Sequence, residues 1–255
     1  MTGPSGNGAK PAPSDASLEQ LIQDRSPEVL VAVAGDSRLS EDLALALLNR
    51  RDLPSRALEE LNKNGVVTKH RKVRLAIVMH PRTPRHVSIP AIRHLYAFEL
   101  MQTALLPAVA ADVKRAAEEA LIGRLKTISP GERYALAKQS PGRVAAVLLF
   151  DADERIMRAA LANPHMTEAL IVNALRAEDA TEILVCAVCH DEKWSRRQDV
   201  KVVLLAHEKT PFAKVLQFAS ELPLRMLRDA LHTSRFSENV RKYLESVVER
   251  RTTNS

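Results

Sequence analysis

A self-similarity within the chain constrains its fold more than any other feature of the sequence. Shifted by 127 residues, residues 17–127 align with residues 144–254 without a gap. The matches fall on helix caps and apolar core positions, and they include Asp24 with Asp151, Glu41 with Glu168, His80 with His207, Thr83 with Thr210, and Leu95 with Leu222. Shared caps and core positions predict one helical architecture that is built twice.

Helix starts recur throughout both halves. Ser or Thr at an N-cap accepts a bond from a free backbone N–H, and Pro suits the first helical position because its φ is fixed. The pattern predicts starts at Ser26, Ser40, Thr83, Ser129, Ser140, Thr167, Ser195, Thr210 and Ser237, with a capping box formed by Ser129 and Glu132. These starts predict about 15 to 17 short helices. No alternating apolar pattern predicts a strand, so the expected fold class is all-α.

A shorter period is visible inside each half. The spacing from Ser37 to Pro81 is 44 residues, and the spacing from Pro164 to Glu208 is the same. This length predicts one helical hairpin per 44 residues, as in HEAT or armadillo repeats.

Three segments resemble a known family of repeats: Asp151–Leu170, Arg74–Pro84 and Val203–Pro211. Each is an apolar helix followed by Pro or Glu and then by a capped new helix. The chain thereby resembles HEAT-like α-helical repeats, most closely the bacterial leucine-rich repeat variant type. The resemblance implies an α-solenoid of short hairpins in a right-handed superhelix, and it implies no particular activity. Some family members carry an iron–sulfur cluster on a Cys-rich N-terminal segment, which has no counterpart here.

The expected organisation is a single continuous helical-repeat domain over residues 17–250. It comprises unit one (residues 17–127), a connecting helix (residues 128–143) and unit two (residues 144–250). Residues 1–16, rich in Gly, Pro and Ser, and the polar residues 251–255 predict disordered tails.

The cellular location is predicted from three features. No apolar run approaches the roughly 20 residues that span a membrane. The N-terminus lacks the basic start and apolar core of a secretory signal. Two cysteines in 255 residues fit a reducing compartment, so we expect a cytoplasmic protein.

A stretch without acidic residues is the strongest charge feature of the chain, whose net charge is +6. Between Glu60 and Glu99 the sequence holds eight Lys or Arg residues and four His residues. Some of these cations recur after the 127-residue shift. The predicted partner-binding residues on this basic surface are Lys69, Arg71, Lys72, Arg74, Arg82, Arg85, Arg93, Arg196, Lys201 and Lys209.

These features predict a non-enzymatic scaffold that binds a protein or peptide on a curved helical-repeat surface, centred on residues 63–93. Repeated cations could also neutralise the phosphates of a nucleic acid, so non-specific nucleic-acid binding is the alternative. A third hypothesis is a HEAT-like DNA alkylation glycosylase, for which only Trp194 offers an indole. Trp194 could instead anchor a partner or close a turn as a hydrophobic staple.

Residues that could bind a metal or cofactor also have a structural interpretation. Cys186, Cys189 and His190 spell the C-x-x-C-H pattern of c-type haem attachment. They lie in an apolar helix, where cysteines pack as small hydrophobic residues, although a metal or redox site stays open. His80 and His207 stand at helix ends, where a ring can bond to free carbonyls. We predict no catalytic residue, no metal and no cofactor.

Overall fold

The structure is a computed structural model that describes residues 17–233 and 236–253. The predicted N-terminal tail, residues 1–16, lies outside the described residues. The described part of the chain is all-α, as predicted, with seventeen α-helices, one 3-10 helix (Val67–Lys69) and no strand. The α-helices are α1 Leu18–Leu21, α2 Pro27–Gly35, α3 Glu41–Leu48, α4 Ser55–Lys63, α5 Arg71–Met79, α6 Arg85–Ile92, α7 Ala97–Leu105, α8 Ala111–Arg124, α9 Pro130–Gln139, α10 Gly142–Leu148, α11 Glu154–Leu161, α12 Glu168–Arg176, α13 Glu182–His190, α14 Gln198–Ala206, α15 Phe212–Glu221, α16 Leu224–Thr233 and α17 Glu238–Thr253. Within these ranges, none of the helices has the length and apolar character that crossing a bilayer requires.

The chain divides into an N-terminal unit, Met1–Ala117, and a C-terminal unit, Glu118–Ser255. In the N-terminal unit, α2 packs against α4, α3 against α5, and α5 against α7. In the C-terminal unit, α9, α11 and α13 contact one another in order, and so do α10, α12, α14 and α16. These helices therefore pack against their second neighbours along the chain, as helices do in stacked hairpins.

Helix starts share the 127-residue spacing found in the sequence. Pro27 begins α2 and Glu154 begins α11, while Arg71 begins α5 and Gln198 begins α14. The same spacing separates the starts of α3 and α12, α4 and α13, α6 and α15, α7 and α16, and α8 and α17. Seven consecutive helices in the first half thus have a counterpart at the same spacing.

Hydrogen bonds at helix ends recur with the same spacing. Thr83 Oγ1 donates to Ile77 O at 2.5 Å, and Thr210 Oγ1 donates to Leu204 O at 2.6 Å. Each hydroxyl adds a second hydrogen bond to a carbonyl that also accepts from the backbone N–H of the C-cap histidine. The sequence pattern predicted both threonines as N-caps of the following helix, but the N-cap is the next residue, a proline, in both cases.

The shorter period differs from the prediction. One hairpin takes 28 residues from the start of α2 at Pro27 to the start of α4 at Ser55. The 44 residues from Ser37 to Pro81 hold three helices, α3, α4 and α5. One hairpin per 44 residues is therefore wrong. The C-caps of α2 and α5 both accept from the backbone N–H two residues later, Asp36 from Arg38 N and His80 from Arg82 N. Because α2 and α5 occupy different positions in a hairpin, the sequence pattern of the turns does not distinguish these positions.

Some of the N-caps predicted from the sequence are confirmed, and others are not. Ser40, Ser129 and Thr167 accept the predicted bonds from the backbone N–H three residues later. By contrast, α14 begins at Gln198, three residues after Ser195, and α10 has Pro141 as its N-cap in place of Ser140.

The last helix runs further than predicted. α17 continues to Thr253, through residues that the sequence assigned to a tail. Arg251 Nη1 donates to Leu222 O at 2.8 Å, and this bond ties the end of α17 to the end of α15.

Candidate functional site

Acidic residues from outside the basic stretch pair with the cations inside it. Arg71 Nε lies 2.6 Å from Glu99 Oε1, and its guanidinium carbon lies 3.4 Å from the centre of the Tyr96 ring. Arg85 forms an ion pair with Asp112. The hydrogen bond from Arg85 lowers the pKa of the Asp112 carboxyl. Two of the predicted binding residues thus have internal partners.

The other charged groups of the stretch are partly engaged as well. His70 Nδ1 lies 3.0 Å from Glu41 Oε2, and Arg82 Nη1 donates to Asp52 O at 3.0 Å. Arg93 is exposed at the end of α6. The stretch is therefore much less positive in the folded unit than its sequence suggests.

The predicted cations of the second half have partners too. Lys201 is buried and pairs with Glu221, which lowers the pKa of the Glu221 carboxyl. Its placement on an exposed basic surface is therefore wrong. Lys209 Nζ donates to Ala180 O at 2.5 Å, and Arg196 Nη2 lies 4.0 Å from the Glu192 carboxylate.

Three predicted cations have no hydrogen-bond or ion-pair partner among the described residues: Lys69, Lys72 and Arg74. Lys69 and Lys72 are exposed, and Arg74 is half-buried. All three lie on the short 3-10 helix or on α5, so the structure brings the available positive charge to this part of the N-terminal unit.

A groove of about 560 Å³, the N-terminal groove, lies beside Lys72. Residues at the end of α3, on α5 and in the segment after α7 line it. We call the apolar lining residues Leu48, Leu75, Met79 and Leu106 its floor. Leu75, Met79 and Leu106 are only half-buried. Apolar surface left open in a concavity is available to a ligand or partner.

The N-terminal groove carries positive charge and no negative charge. Arg51 and Lys72 both line it and are exposed, no acidic residue lines it, and neither cation has a partner within the described residues. Sequence reasoning missed Arg51, because this residue lies outside the basic stretch. Only the packing of α3 against α5 brings Arg51 and Lys72 to one groove.

The C-terminal unit has a groove of about 370 Å³, the C-terminal groove, at the corresponding positions. Its apolar residues Leu175, Val202, Val203 and Ala206 follow Leu48, Leu75, Ala76 and Met79 by 127 residues. The charges differ. Glu178 lines this groove at the position equivalent to Arg51, and Asp199, equivalent to Lys72, lines an adjoining groove of about 580 Å³.

A larger cavity of about 790 Å³ lies in the C-terminal unit, beside α10 and α12. Val147, Phe150 and Leu170 line it together with an ion pair in which Arg133 Nε lies 2.7 Å from Asp151 Oδ2. The two charges of the pair offset each other, and apolar residues form most of the lining, together with the charged Lys126 and Asp179.

One residue of the cysteine motif, Cys189, is a part of the core. Cys189 is buried, and burial raises the pKa of its thiol to about 12. Since the thiolate is the form that binds metals and reacts, Cys189 packs as a hydrophobic residue. His190 is exposed, and its Nδ1 lies 2.8 Å from Cys186 O. Among the described residues, no three His, Cys, Asp or Glu side chains form a group that could hold a metal.

The two histidines at helix ends bond to the backbone. His80 is buried, with Nε2 3.0 Å from Arg50 O, and its Nδ1 accepts from Arg82 N at 3.2 Å. His207 Nδ1 accepts from Lys209 N at 3.1 Å. Burial lowers the pKa of the His207 ring, so the ring is neutral at pH 7. Of the two rings, only that of His80 lies beside a backbone carbonyl, as the sequence interpretation predicts, whereas His207 accepts from a backbone N–H.

Trp194 is not on the surface. Its side chain is 2% exposed, and Nε1 donates to Leu161 O at 3.0 Å, at the end of α11. The indole fixes the turn after α13 to that helix end, so it cannot anchor a partner or stack on a base in this conformation.

Comparisons with protein-family models, with curated proteins and with solved structures find no match for this chain.

Proposed function

We propose that this chain is a non-enzymatic scaffold that binds a protein or peptide partner, with the N-terminal groove as the centre of the binding surface. The architecture that we propose is a right-handed α-solenoid of HEAT-like hairpins, most like the leucine-rich repeat variant type, with an internal duplication of 127 residues. Packing of helices against their second neighbours and the shared spacing of seven helix starts support this architecture.

The observation that carries the proposal is the half-buried apolar floor of the N-terminal groove. Leu75 and Met79 lie on α5, inside residues 63–93 where the sequence places the binding surface, and Leu106 joins them from the segment after α7. Partner recognition commonly combines an apolar centre with a polar rim, and this groove offers both. The exposed cations Arg51 and Lys72 form the rim, and they favour a partner with negative charge.

Nucleic-acid binding is the competing hypothesis. A protein that binds phosphates needs many available cations along one surface. Internal pairing of Arg71, Arg85 and Lys201 reduces that number. The glycosylase hypothesis is weaker still, because the one indole of the chain is buried.

Selection from a random library of displayed peptides tests the proposal. We expect peptides that bind the full chain, and we expect the substitution Ala108→Trp to weaken them at least about tenfold. Ala108 is exposed and lines the N-terminal groove, so an indole there would fill the groove without entering the core. Ala213→Trp, at an exposed position on α15, is the matched control and should leave binding unchanged.

Two results would contradict the proposal. A selection that yields no binding peptide argues against a peptide-binding scaffold. Peptides whose affinity is the same for the wild type and for Ala108→Trp show that the N-terminal groove is not the centre of binding.

A further inference from the structure

We infer that the N-terminal groove takes an acidic segment of a partner, whose apolar side chains cover the groove floor, and that the C-terminal groove does not take this segment. The inference rests on the proposed function and names the chemistry of the partner.

Two arginines near this groove have carboxylate partners, but the two cations that line the groove have none among the described residues. Arg71, which begins α5, and Arg85, which begins α6, have carboxylates as partners. Arg51 and Lys72 have none among the described residues, although both line the groove. Two cations without a counter-charge favour carboxylates of a partner and oppose further cations.

The apolar floor distinguishes a peptide from a nucleic acid. A phosphate backbone binds through charge alone and covers little apolar surface. Leu75, Met79 and Leu106 offer half-buried apolar surface between the charged side chains. A segment with both apolar and acidic side chains satisfies the floor and the rim together, as in other helical grooves that bind peptides.

The C-terminal groove provides an internal comparison. Its lining is apolar at the positions equivalent to Leu48, Leu75 and Met79, but Glu178 replaces Arg51 and, in the adjoining groove, Asp199 replaces Lys72. Glu208 adds a second carboxylate to the lining of the C-terminal groove, which also holds the cations Arg176 and Lys209. An acidic segment would therefore meet like charges there. The N-terminal groove is lined by cations without carboxylates, whereas carboxylates line its counterpart, so the N-terminal groove suits an acidic partner better.

Fluorescence anisotropy with two labelled 12-residue peptides tests the inference. Both peptides carry Leu at the same four positions, and the remaining positions are Glu in one peptide and Lys in the other. We expect the Glu peptide to bind the wild-type chain at least about tenfold more tightly than the Lys peptide, with an affinity that falls as salt is raised.

Two double variants locate the binding. Arg51→Glu with Lys72→Asp gives the N-terminal groove the charges of its counterpart and should weaken the Glu peptide at least about tenfold. Glu178→Gln with Asp199→Asn is the matched control in the C-terminal unit, and it should leave that affinity within about twofold. All four positions are exposed, so thermal melting should show both variants folded.

The outcomes separate this inference from the proposed function. Equal binding of the Glu and Lys peptides, or Glu-peptide binding that survives the Arg51→Glu and Lys72→Asp changes, overturns the inference. If selected peptides still depend on Ala108, the proposed function stands. If neither the synthetic peptides nor the library yields binding, both fail. Displacement of the Glu peptide by short duplex DNA overturns the inference in favour of a nucleic acid.

Discussion

Asn163 shows how single side chains hold the helix ends of this protein. Its amide is fully buried, and Nδ2 donates to Ala137 O at 2.8 Å and to Ser140 O at 3.1 Å, while Oδ1 accepts from His165 N at 2.7 Å. Asn64 makes the same kind of connection from the end of α4 to the end of α2. No described residue has a positive φ, so these amides do the work that a C-terminal glycine does elsewhere.

Replacement of Asn163 should be costly. Asn163→Ala leaves two carbonyls and one N–H without partners in the interior, and we expect a loss of roughly 2–4 kcal/mol in the free energy of unfolding. Urea denaturation measures this loss. Asn173→Ala, at an exposed amide that forms no hydrogen bond among the described residues, should change stability by less than about 0.5 kcal/mol. Equal losses in the two variants would contradict the structural role of Asn163.

His207 should make stability depend on pH. Burial, and next the nearby Lys209 charge, lower the pKa of its ring below that of the unfolded chain. The unfolded state therefore binds the proton more readily, so the stabilisation by the neutral ring is complete above about pH 6.5 and is lost as the pH falls towards the lowered pKa.

The variant His207→Asn tests this pH dependence, because the amide oxygen can accept the bond from Lys209 N and does not titrate in this range. We expect the difference in Tm between wild type and variant to shrink as the pH falls from about 7.5 to about 5. A difference that stays constant would show that His207 does not carry the effect.

At the level of helices, close packing at the start of α10 makes one glycine necessary. A Cβ at Gly142 would lie 2.3 Å from His165 O and 2.9 Å from Leu170 Cδ1. The first of these is a backbone atom, which cannot move away as a flexible side chain would. This contact holds α10 against the turn between α11 and α12, beside the cavity of the C-terminal unit.

Gly142→Ala should therefore destabilise the C-terminal unit, by about 1–3 kcal/mol in urea denaturation. Gly131→Ala is the control, since a Cβ in the first turn of α9 meets no atom within 4 Å. We expect that variant to stay within about 0.5 kcal/mol of wild type. If the Gly142→Ala variant is as stable as wild type, α10 can move away from the turn between α11 and α12 without a loss of stability.

Helix packing also explains why the Arg71 guanidinium has a carboxylate partner within the chain. Glu99 on α7 accepts from Arg71 on α5, and its second oxygen accepts from Tyr96 N at 2.7 Å to complete the capping box of α7. One carboxylate thus joins two helices and caps one of them. A charge reversal at Arg71 would place two carboxylates together, so Arg51 and Lys72 are the better positions for testing the surface.

For the whole molecule, we expect a weaker affinity for nucleic acid than the net charge of +6 suggests. On the basic surface, Lys69, Lys72, Arg74 and the nearby Arg51 are the cations without partners among the described residues. Four phosphate contacts give a slope of log K against log salt no steeper than about −4 for duplex DNA. Anisotropy over a range of salt concentrations measures the slope.

The double variant Arg51→Glu with Lys72→Asp should make that slope shallower by about 2. A slope much steeper than −4 for wild type would mean that paired cations open to meet phosphates. That result would move non-specific nucleic-acid binding ahead of the scaffold.

The sequence by itself determined the all-α class and many helix starts, because capping bonds such as that of Ser129 join residues three apart and leave a local signal. The 127-residue spacing was visible for the same reason. The length of a hairpin was not visible in the sequence, because similar turns follow the first and the second helix of a hairpin.

Only the tertiary structure decided which cations have no partner within the chain and so stay available to a ligand. Arg71 and Glu99 are 28 residues apart, and Arg51 and Lys72 are 21 apart. Residues so far apart in the sequence come close in space when helices pack against their second neighbours. Coulomb interactions depend on the distance in space that this packing sets, and not on the order of charges along the chain.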